Sequence, residues 1–375
     1  MTHAADVVIA GAGIVGAACA HSLAREGLRV LVCEPAIPGG GATAAGMGHV
    51  VVLDDSPAEL ALTYYSRCLW HALAPELPPE AEFDVRGTLW IAADDEELAL
   101  VRHKQHAQVL DARALYQAEP NLRPSLAGGV LVPDDAVLYA PAAFTVDPIR
   151  SAVAALEEGG VRLANGDRVS AAHTILATGT AITELLPWVP VRPRKGHLAI
   201  TARYPGFVRH QLVELGYLKS AHGSSDESVA FNVQPRRTGQ VLIGSSREFG
   251  AEDSAINHAI LKAMLNRAQL YLPELGSCVA IRTWTGFRAA TPDKLPLIGP
   301  WPEDETLYLA TGHEGLGITT SLGTARLLVG QLTGSPTEIP FEPYLPERFV
   351  TGQSNTGESE QESAHGLRTS KGAHV

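Results

Sequence analysis

Cysteine is scarce in this chain of 375 residues: Cys19, Cys33, Cys68 and Cys278 are too few and too scattered for a disulfide framework. None stands in a C-x-x-C pair, so the usual spacing of a zinc site is missing and no metal is expected. Cys19 and Cys33 fall in apolar stretches near the N-terminus, where buried free thiols are expected. Basic residues are outnumbered, 29 Lys and Arg against 41 Asp and Glu, and the formal net charge is -12. Such a chain has no long-range pull toward nucleic acid or anionic lipid, so neither is an expected partner. An anionic substrate would need a local basic group to hold it. No run approaches the ~18 apolar residues of a membrane span, and the first residues lack the basic stretch and apolar core of a signal peptide. These absences point to the cytoplasm, with the inner face of the membrane reached only through partners.

What is present reads as globular: 45% hydrophobic and 19% charged residues, with length enough for two domains. Asp6-Val7-Val8-Ile9-Ala10 suits a buried parallel strand. Gly11-Ala12-Gly13-Ile14-Val15-Gly16 follows, then a helix over 17–26 stopped by Gly27, then a strand over 29–33 closed by Glu34. The G-x-G-x-x-G triplet alone is a weak signal, but strand, helix and terminal acid together make a dinucleotide-binding fingerprint. Gly11 makes the tight turn, Gly13 lets a pyrophosphate approach the backbone, and Gly16 allows close packing of helix on strand. Glu34 can accept both ribose hydroxyls, and an acid there disfavours the 2′-phosphate of NADP.

The rest of the chain separates FAD from NAD. A nicotinamide dehydrogenase would complete its sheet in the first half, whereas here the alternation breaks after one βαβ unit. A glycine-rich loop spans 39–52, a helix is predicted over 57–73, a strand over 87–91 and a charged helix over 94–110. A further helix is predicted over 141–158. Asn165-Gly166 between apolar runs predicts a hairpin with a type I′ turn. A strand over 174–177 opens onto Thr178-Gly179, a second nucleotide-like element. Strands follow at 197–201, 228–233 and 240–244, then a helix over 255–272, a strand over 307–310, a third glycine loop and a helix over 319–332. This discontinuous layout is how a long FAD molecule is wrapped. Residues 351–375 hold hardly any large apolar side chain and are expected to be a disordered tail.

The chain resembles the D-amino-acid oxidase/glycine oxidase superfamily of FAD enzymes. The resemblance lies in residues 6–35, in Ile175-Leu176-Ala177-Thr178-Gly179-Thr180, in residues 282–300 and in residues 307–334. Within it, residues 230–250 and the Gly312 to Thr319 loop are most similar to the β subunits of D-hydroxyproline dehydrogenases and opine oxidases. The resemblance implies an α/β fold, with a discontinuous Rossmann-type FAD-binding domain over 1–83, 142–195 and 280–348. The second, substrate domain would take 84–141 and 196–279, on an antiparallel or mixed sheet, and leave 349–375 as the tail.

The resemblance also implies roles for residues. Arg288 matches the arginine that pairs with the substrate carboxylate, and a guanidinium offers that group a bidentate fork. Arg282 reads as structural. Gly312, His313, Gly315, Leu316, Gly317 and Ile318 match the loop facing the flavin pyrimidine edge, where amides and a helix N-terminus stabilise negative charge. His313 reads equally as a flavin contact or a hydrogen-bonded structural histidine. Met47 and Gly48 fall in the loop reaching the isoalloxazine, and Ile14, Val15, Thr43, Ala44, Gly46, Thr178 and Gly179 complete the cofactor set. His49, in the same loop, either helps to deprotonate an amine or only caps the loop. Asn232 stands where glycine oxidases have a substrate-binding tyrosine, a departure that suits a bulkier or more polar substrate. A second departure is the short link around Asn165-Gly166, which reads as a three-stranded meander cut to a hairpin and removes an adenine-contacting valine.

The implied reaction is oxidation of the C–N bond of a small amino or imino acid, cis-4-hydroxy-D-proline first, by hydride transfer to flavin. Three readings compete: a dehydrogenase passing electrons to a heteromeric partner subunit or quinone, a self-sufficient oxidase making hydrogen peroxide, and a non-catalytic subunit. Because residues 351–375 cannot form a core, a chain ending at Val350 should keep the melting temperature and flavin content of the full chain. Loss of flavin or precipitation on truncation would show that the tail docks.

Overall fold

The computed structural model describes residues 2–52, 56–101, 107–216, 227–251 and 253–350. The expected disordered tail therefore lies outside the described residues, apart from 349 and 350, which end a short helix, Glu347–Val350. The first βαβ unit forms as its pattern dictates. β1 (Thr2–Ala10) lies parallel to β2 (Val30–Cys33), with α1 (Ile14–Arg25) between them in sequence. Val7, Val8 and Ile9 are all buried, as a parallel strand covered on both faces requires. Gly11 has φ 101°, and a Cβ at Gly16 would run into the Gly11 carbonyl oxygen. The missing side chain at position 16 is what lets α1 settle onto the strand. Cys19 and Cys33 are buried free thiols, pushed up by burial to about 12 and about 11.

The chain then runs through α2 (Ala42–Ala45), β3 (His49–Val50) and α3 (Pro57–Leu73). Ser56 starts α3 by accepting the Glu59 N–H at 3.1 Å, with Pro57 in the first turn. β4 (Asp84–Val85), β5 (Thr88–Ala92), α4 (Asp95–Val101), β6 (Gln108–Asp111), α5 (Ala112–Ala118), β7 (Gly128–Val132) and β8 (Ala136–Val137) follow. Next come β9 (Val153–Glu157), β10 (Gly160–Leu163), β11 (Arg168–Leu176), α6 (Ile182–Leu185), β12 (Arg192–Arg203), β13 (Gln211–Glu214), β14 (Glu227–Pro235) and β15 (Gln240–Phe249). α7 (His258–Tyr271), β16 (Ala280–Ala290), β17 (Leu297–Trp301), β18 (Asp304–Thr311) and α8 (Gly317–Thr333) complete the main elements.

Among the described residues these strands make three sheets, and the fold is α/β. The first has the order β17-β18-β11-β1-β2, parallel except for β17, with β9 and β10 attached beyond β11. Residues of α1, α3 and α8 (Ala18, Leu62, Trp70, Leu322 and Leu328) join Val7 and Ile9 in its main core. The second has the order β16-β12-β15-β14-β13-β5-β7-β6 and is antiparallel except for the β5–β13 pair, so it is mixed. Leu89, Leu212, Phe231, Val233 and Ile243 form its buried face with Met264 and Ala268 of α7. β3, β8 and β4 make a small third sheet. No described helix is long and apolar enough to cross a membrane.

Several expectations are corrected. The helix over 141–158 is absent: a single 3-10 turn at Ala140–Ala142 leads to β9. Pro148 lacks an N–H and disfavours helical geometry in the residue before it, and Val153 to Glu157 instead pair with β10. The meander consequently keeps three strands, β9-β10-β11, and is not cut to a hairpin. Its Asn-Gly turn is not type I′, since Gly166 has positive φ (86°) and Asn165 does not; the Asn165 side chain accepts the Asp167 N–H instead. The charged helix is described over Asp95–Val101; residues 102–106 lie outside the described set, and Gln108–Asp111 are strand. β16 is an edge strand of the eight-stranded sheet, paired with β12.

The glycine contacts generate a paired prediction. Gly16→Val should destabilise the apoprotein by roughly 1–3 kcal/mol or more, because overpacking at a backbone contact cannot relax. Gly13→Ala should leave apoprotein stability nearly unchanged, since a Cβ there meets only Thr43 Oγ1 at 3.5 Å. Urea melts of the two apoproteins check this; equal destabilisation would refute the packing role of Gly16.

Candidate active site

A cavity of about 650 Å³ lies between the first sheet and the open face of the second. At one end Glu34 is held by two backbone donors: its Oε2 accepts the Ala12 N–H at 2.9 Å and its Oε1 the Ala36 N–H at 3.0 Å. A carboxylate has about four lone-pair sites, so capacity remains for hydroxyl donors from a ligand. Gly11, Gly13, Ile14 and Val15 line the cavity next to it, while Gly16 serves packing and does not. Gly13 caps α1 with no side chain of its own, so only the Ile14 N–H of the first turn has a side-chain acceptor among the described residues. Thr43 Oγ1 accepts the Ile14 N–H at 2.9 Å, so its own hydroxyl proton can be donated into the cavity. Thr178 Oγ1 is buried with no partner among the described residues, and Gly179, at φ 60°, turns the chain beside it. An open glycine, uncapped amides and an orphaned hydroxyl fit the pyrophosphate and ribose of a dinucleotide.

The second glycine loop closes the cavity from the other side. Gly312 has φ 78°, and a Cβ there would press on Thr291. Leu316 caps α8 with no side-chain bond, so α8 also presents unsatisfied amides, with Gly315, Leu316, Gly317 and Ile318 on the cavity wall. Thr319 ties this loop to the His49 segment: its Oγ1 donates to the His49 carbonyl at 3.0 Å and accepts the Val51 N–H at 3.2 Å. Trp70 Nε1 donates to the Ile318 and Thr319 carbonyls. His313 stands on the cavity wall. It is buried, its Nε2 lies 2.9 Å from Thr324 Oγ1 of α8, and burial lowers its pKa to about 3. Gly46 and Met47 line the cavity, and Gln234 donates to the Met47 carbonyl. Ala44 is exposed and off the cavity wall, because the single turn of α2 points Thr43 inward and its neighbour out.

The floor at this end is one face of the eight-stranded sheet. Side chains alternate along each strand, so Thr88 and Trp90, Gln211 and Val213, Asn232, Ser245 and Arg247, Arg194 and Gly196, and Gly286 and Arg288 all reach the cavity. Arg288 lies flat across Gly196, its Nη1 about 2.5 Å from where a Cβ would stand, and donates to the Ser246 carbonyl at 3.0 Å. Arg194 donates to Glu314 Oε1 at 3.1 Å and sits 4.5 Å over the Phe249 ring; Arg247 Nε is 3.9 Å from the same oxygen. Burial raises the Glu314 carboxyl, but Arg247, Arg288 and Arg194 together hold it below its ordinary value. His49 also borders the cavity. Burial lowers its pKa to about 4 against the pull of a Gly315 backbone contact, and the Arg288 charge adds to the drop, so the imidazole is neutral near pH 7. Arg282, by contrast, is exposed and stacks on Trp284.

Arg288, His49 and Asn232, widely separated in sequence, therefore border one cavity with the glycine loops. Arg194, Gly196, Arg247 and Glu314 were not foreseen. Their signal is the alternation in Arg194-Lys195-Gly196 and Ser245-Ser246-Arg247, which becomes readable only with the strand register.

The buried His313 predicts a pH effect on stability. Its folded pKa is depressed, so its contribution is complete above the unfolded value near 6.5 and is lost as pH falls toward about 3. In that window wild type should lose up to about 1.4 kcal/mol per pH unit more than His313→Gln. Urea melts between pH 7 and 4.5 measure it, and parallel pH slopes would disprove the assignment.

Residues 6–331 match the family described as DAO, FAD dependent oxidoreductase. The glycine oxidase of Pseudomonas aeruginosa is 30% identical, over 91% of this chain and 98% of that protein. The hydrogen cyanide synthase subunit HcnC of the same organism is 28% identical, over 93% and 97%. The crystal structure of glycine oxidase from Geobacillus kaustophilus superposes with a TM-score of 0.80 at 24% identity, covering 92% of this chain and 98% of that one. That of L-proline dehydrogenase from P. horikoshii gives 0.83 at 22%, covering 94% and 99%. The match across residues 6–331, on a cavity whose glycines and uncapped helices fit a dinucleotide, establishes that this chain belongs to the DAO family of FAD dependent oxidoreductases.

Proposed function

We propose that this FAD-dependent amino-acid oxidoreductase converts the CH–NH bond of a small amino or imino acid to an imine, with cis-4-hydroxy-D-proline as the named candidate. The observation that carries the reading is the Arg288 guanidinium laid along the cavity floor, with Gly196 giving it room. FAD, when bound, supplies the two-electron acceptor. Glu34, Gly13, Thr43, Thr178 and the first turn of α1 would hold its adenosine and pyrophosphate, and the start of α8 would face its pyrimidine edge. Arg288 pairs with the substrate carboxylate and thereby fixes the direction of the Cα–H bond, and orientation of this kind can supply much of a rate. Asn232 offers an amide to the rest of the substrate. The amine reacts as the free base: the α-hydrogen leaves with its electron pair, the nitrogen proton is lost, and C=N forms. His49, already neutral, presents an imidazole that can take a hydrogen bond or that proton.

The candidate substrate rests on the resemblance of residues 230–250 and of the Gly312 to Thr319 loop to D-hydroxyproline dehydrogenase subunits. One relative is named as a synthase subunit, which supports a heteromeric partner as electron acceptor. Substrate-dependent oxygen consumption by the isolated chain would overturn that part of the reading.

Arg288→Lys keeps the charge but loses the fork, and should cost about 1.5–3 kcal/mol in kcat/KM for a carboxylate substrate. Arg288→Ala should slow an amino acid far more than its amide, which never used the charge. FAD should stay bound in both variants. Flavin content and kcat/KM for acid and amide, measured together, decide it: equal slowing of both with FAD retained makes Arg288 structural.

A further inference from the structure

We infer that His197, behind the cavity floor, is a positioning residue for Arg288: through the Ser246 side chain it fixes the carbonyl on which the guanidinium rests, and so aims the carboxylate clamp. The inference rests on the reading of Arg288 as that clamp.

A guanidinium has five N–H donors. Among the described residues that of Arg288 has one hydrogen-bond acceptor, the Ser246 carbonyl, 3.0 Å from its Nη1. Gly196 beneath it supplies room and no side chain. Whatever sets the Ser246 carbonyl therefore sets the direction in which the remaining donors point. The strand ladder alone does not set it. Lys195 pairs with Glu248 and Ala199 with Ile243, so β15 carries one residue more than β12 between these points. On its other side Val229 pairs with Ser246 and Asn232 with Gly244, and the register shifts again. An extra residue of this kind disrupts the ladder locally and bends the strand.

Two bonds from His197 hold Ser246 at this irregular place. Ser246 Oγ accepts the His197 N–H at 2.8 Å and lies 3.0 Å from His197 Nδ1. The other ring nitrogen fixes the tautomer: Nε2 accepts the Asn257 N–H at 3.0 Å, so it carries no proton. The neutral ring then keeps its proton on Nδ1, which donates to Ser246 Oγ. Burial lowers the His197 pKa, and Lys195 and Arg288 add to the drop against the opposite pull of Glu248, which favours this neutral form. Asn257 is itself fixed as the N-cap of α7, its Oδ1 accepting the Ala259 and Ile260 N–H groups. A line of bonds thus runs from the start of α7 through His197 and Ser246 to Arg288. Alternation puts Ser245 and Arg247 on the cavity face and the Ser246 side chain on the reverse, where it and His197 are buried. The link passes through the sheet, and His197 acts on the substrate only by way of Arg288.

Two ligands that cannot be oxidised test this on the FAD-loaded full chain: pyrrole-2-carboxylate, whose ring carbon next to the carboxylate bears no hydrogen, and the uncharged pyrrole-2-carboxamide. Binding of each is read from the perturbation of the flavin absorbance. Wild type should prefer the acid by about tenfold or more, as hydrogen bonds between charged groups imply. Arg288→Ala should remove the preference. Ser246→Ala and His197→Leu should each lower it by about threefold or more, the worth of one lost hydrogen bond. His197→Asn, whose amide can donate to Ser246 Oγ, should keep most of it. The preference is a ratio measured on one preparation, so a loss of folded protein or of flavin does not move it. If His197→Leu fails to fold, Ser246→Ala decides. An unchanged preference in Ser246→Ala, or equal losses in His197→Asn and His197→Leu, would overturn the inference, while loss of the preference in Arg288→Ala leaves the clamp standing. If wild type shows no preference for the acid, or Arg288→Ala keeps it, the clamp falls and this inference with it.

Discussion

Two helices whose N-cap residues, Gly13 of α1 and Leu316 of α8, give no side-chain cap start on a single cavity. Four N–H groups at the start of any α-helix lack an intrahelical partner, and leaving them unanswered inside a protein is expensive. Here the answer is a ligand with anionic or electron-rich groups at both ends, which is what FAD brings. The surrounding architecture keeps these two helix ends in place. Gly16 lets α1 pack on the β1 turn, Trp70 holds the carbonyls at the start of α8, and Thr319 joins α8 to the His49 strand. His313, on the cavity wall, joins the loop to Thr324 of α8 through its ring.

The second sheet solves a different problem, that of giving an acidic protein a basic pocket. With a net charge of -12 the molecule attracts no anion at long range. The period-two alternation of a half-buried sheet lets one face be apolar against α7 and the other carry Arg194, Arg247 and Arg288. Glu314 and the Phe249 ring limit the repulsion among these charges. Burial, with the Arg288 charge added, keeps His49 neutral, so this end of the cavity combines fixed cations with an uncharged imidazole.

The first βαβ unit was legible because its determinants are local: three glycines at fixed spacing, an apolar strand before them and an acid after. α3 was likewise readable from Ser56-Pro57 and its apolar period, and its bounds are those expected. β9 was misread because Val153 to Glu157 also suit a helix, and only the partner strand β10 makes the extended form the better one. The Asn165-Gly166 turn was placed correctly, but its type was decided by the Asn165 side chain, which holds the Asp167 amide.

The amino-acid sequence by itself determined the dinucleotide fingerprint and the family, since each is written in residues close together along the chain. Tertiary structure decided what depends on register and on surroundings. The sequence separates Arg194, Arg247, Arg288 and Glu314 by up to 120 positions, and pairing of β16 with β12 and β12 with β15 makes them neighbours. Gly196 looks like any strand glycine until Arg288 is seen lying across it. The neutrality of His49 and His313 follows from burial, a property of the folded chain that the identity of a residue does not carry.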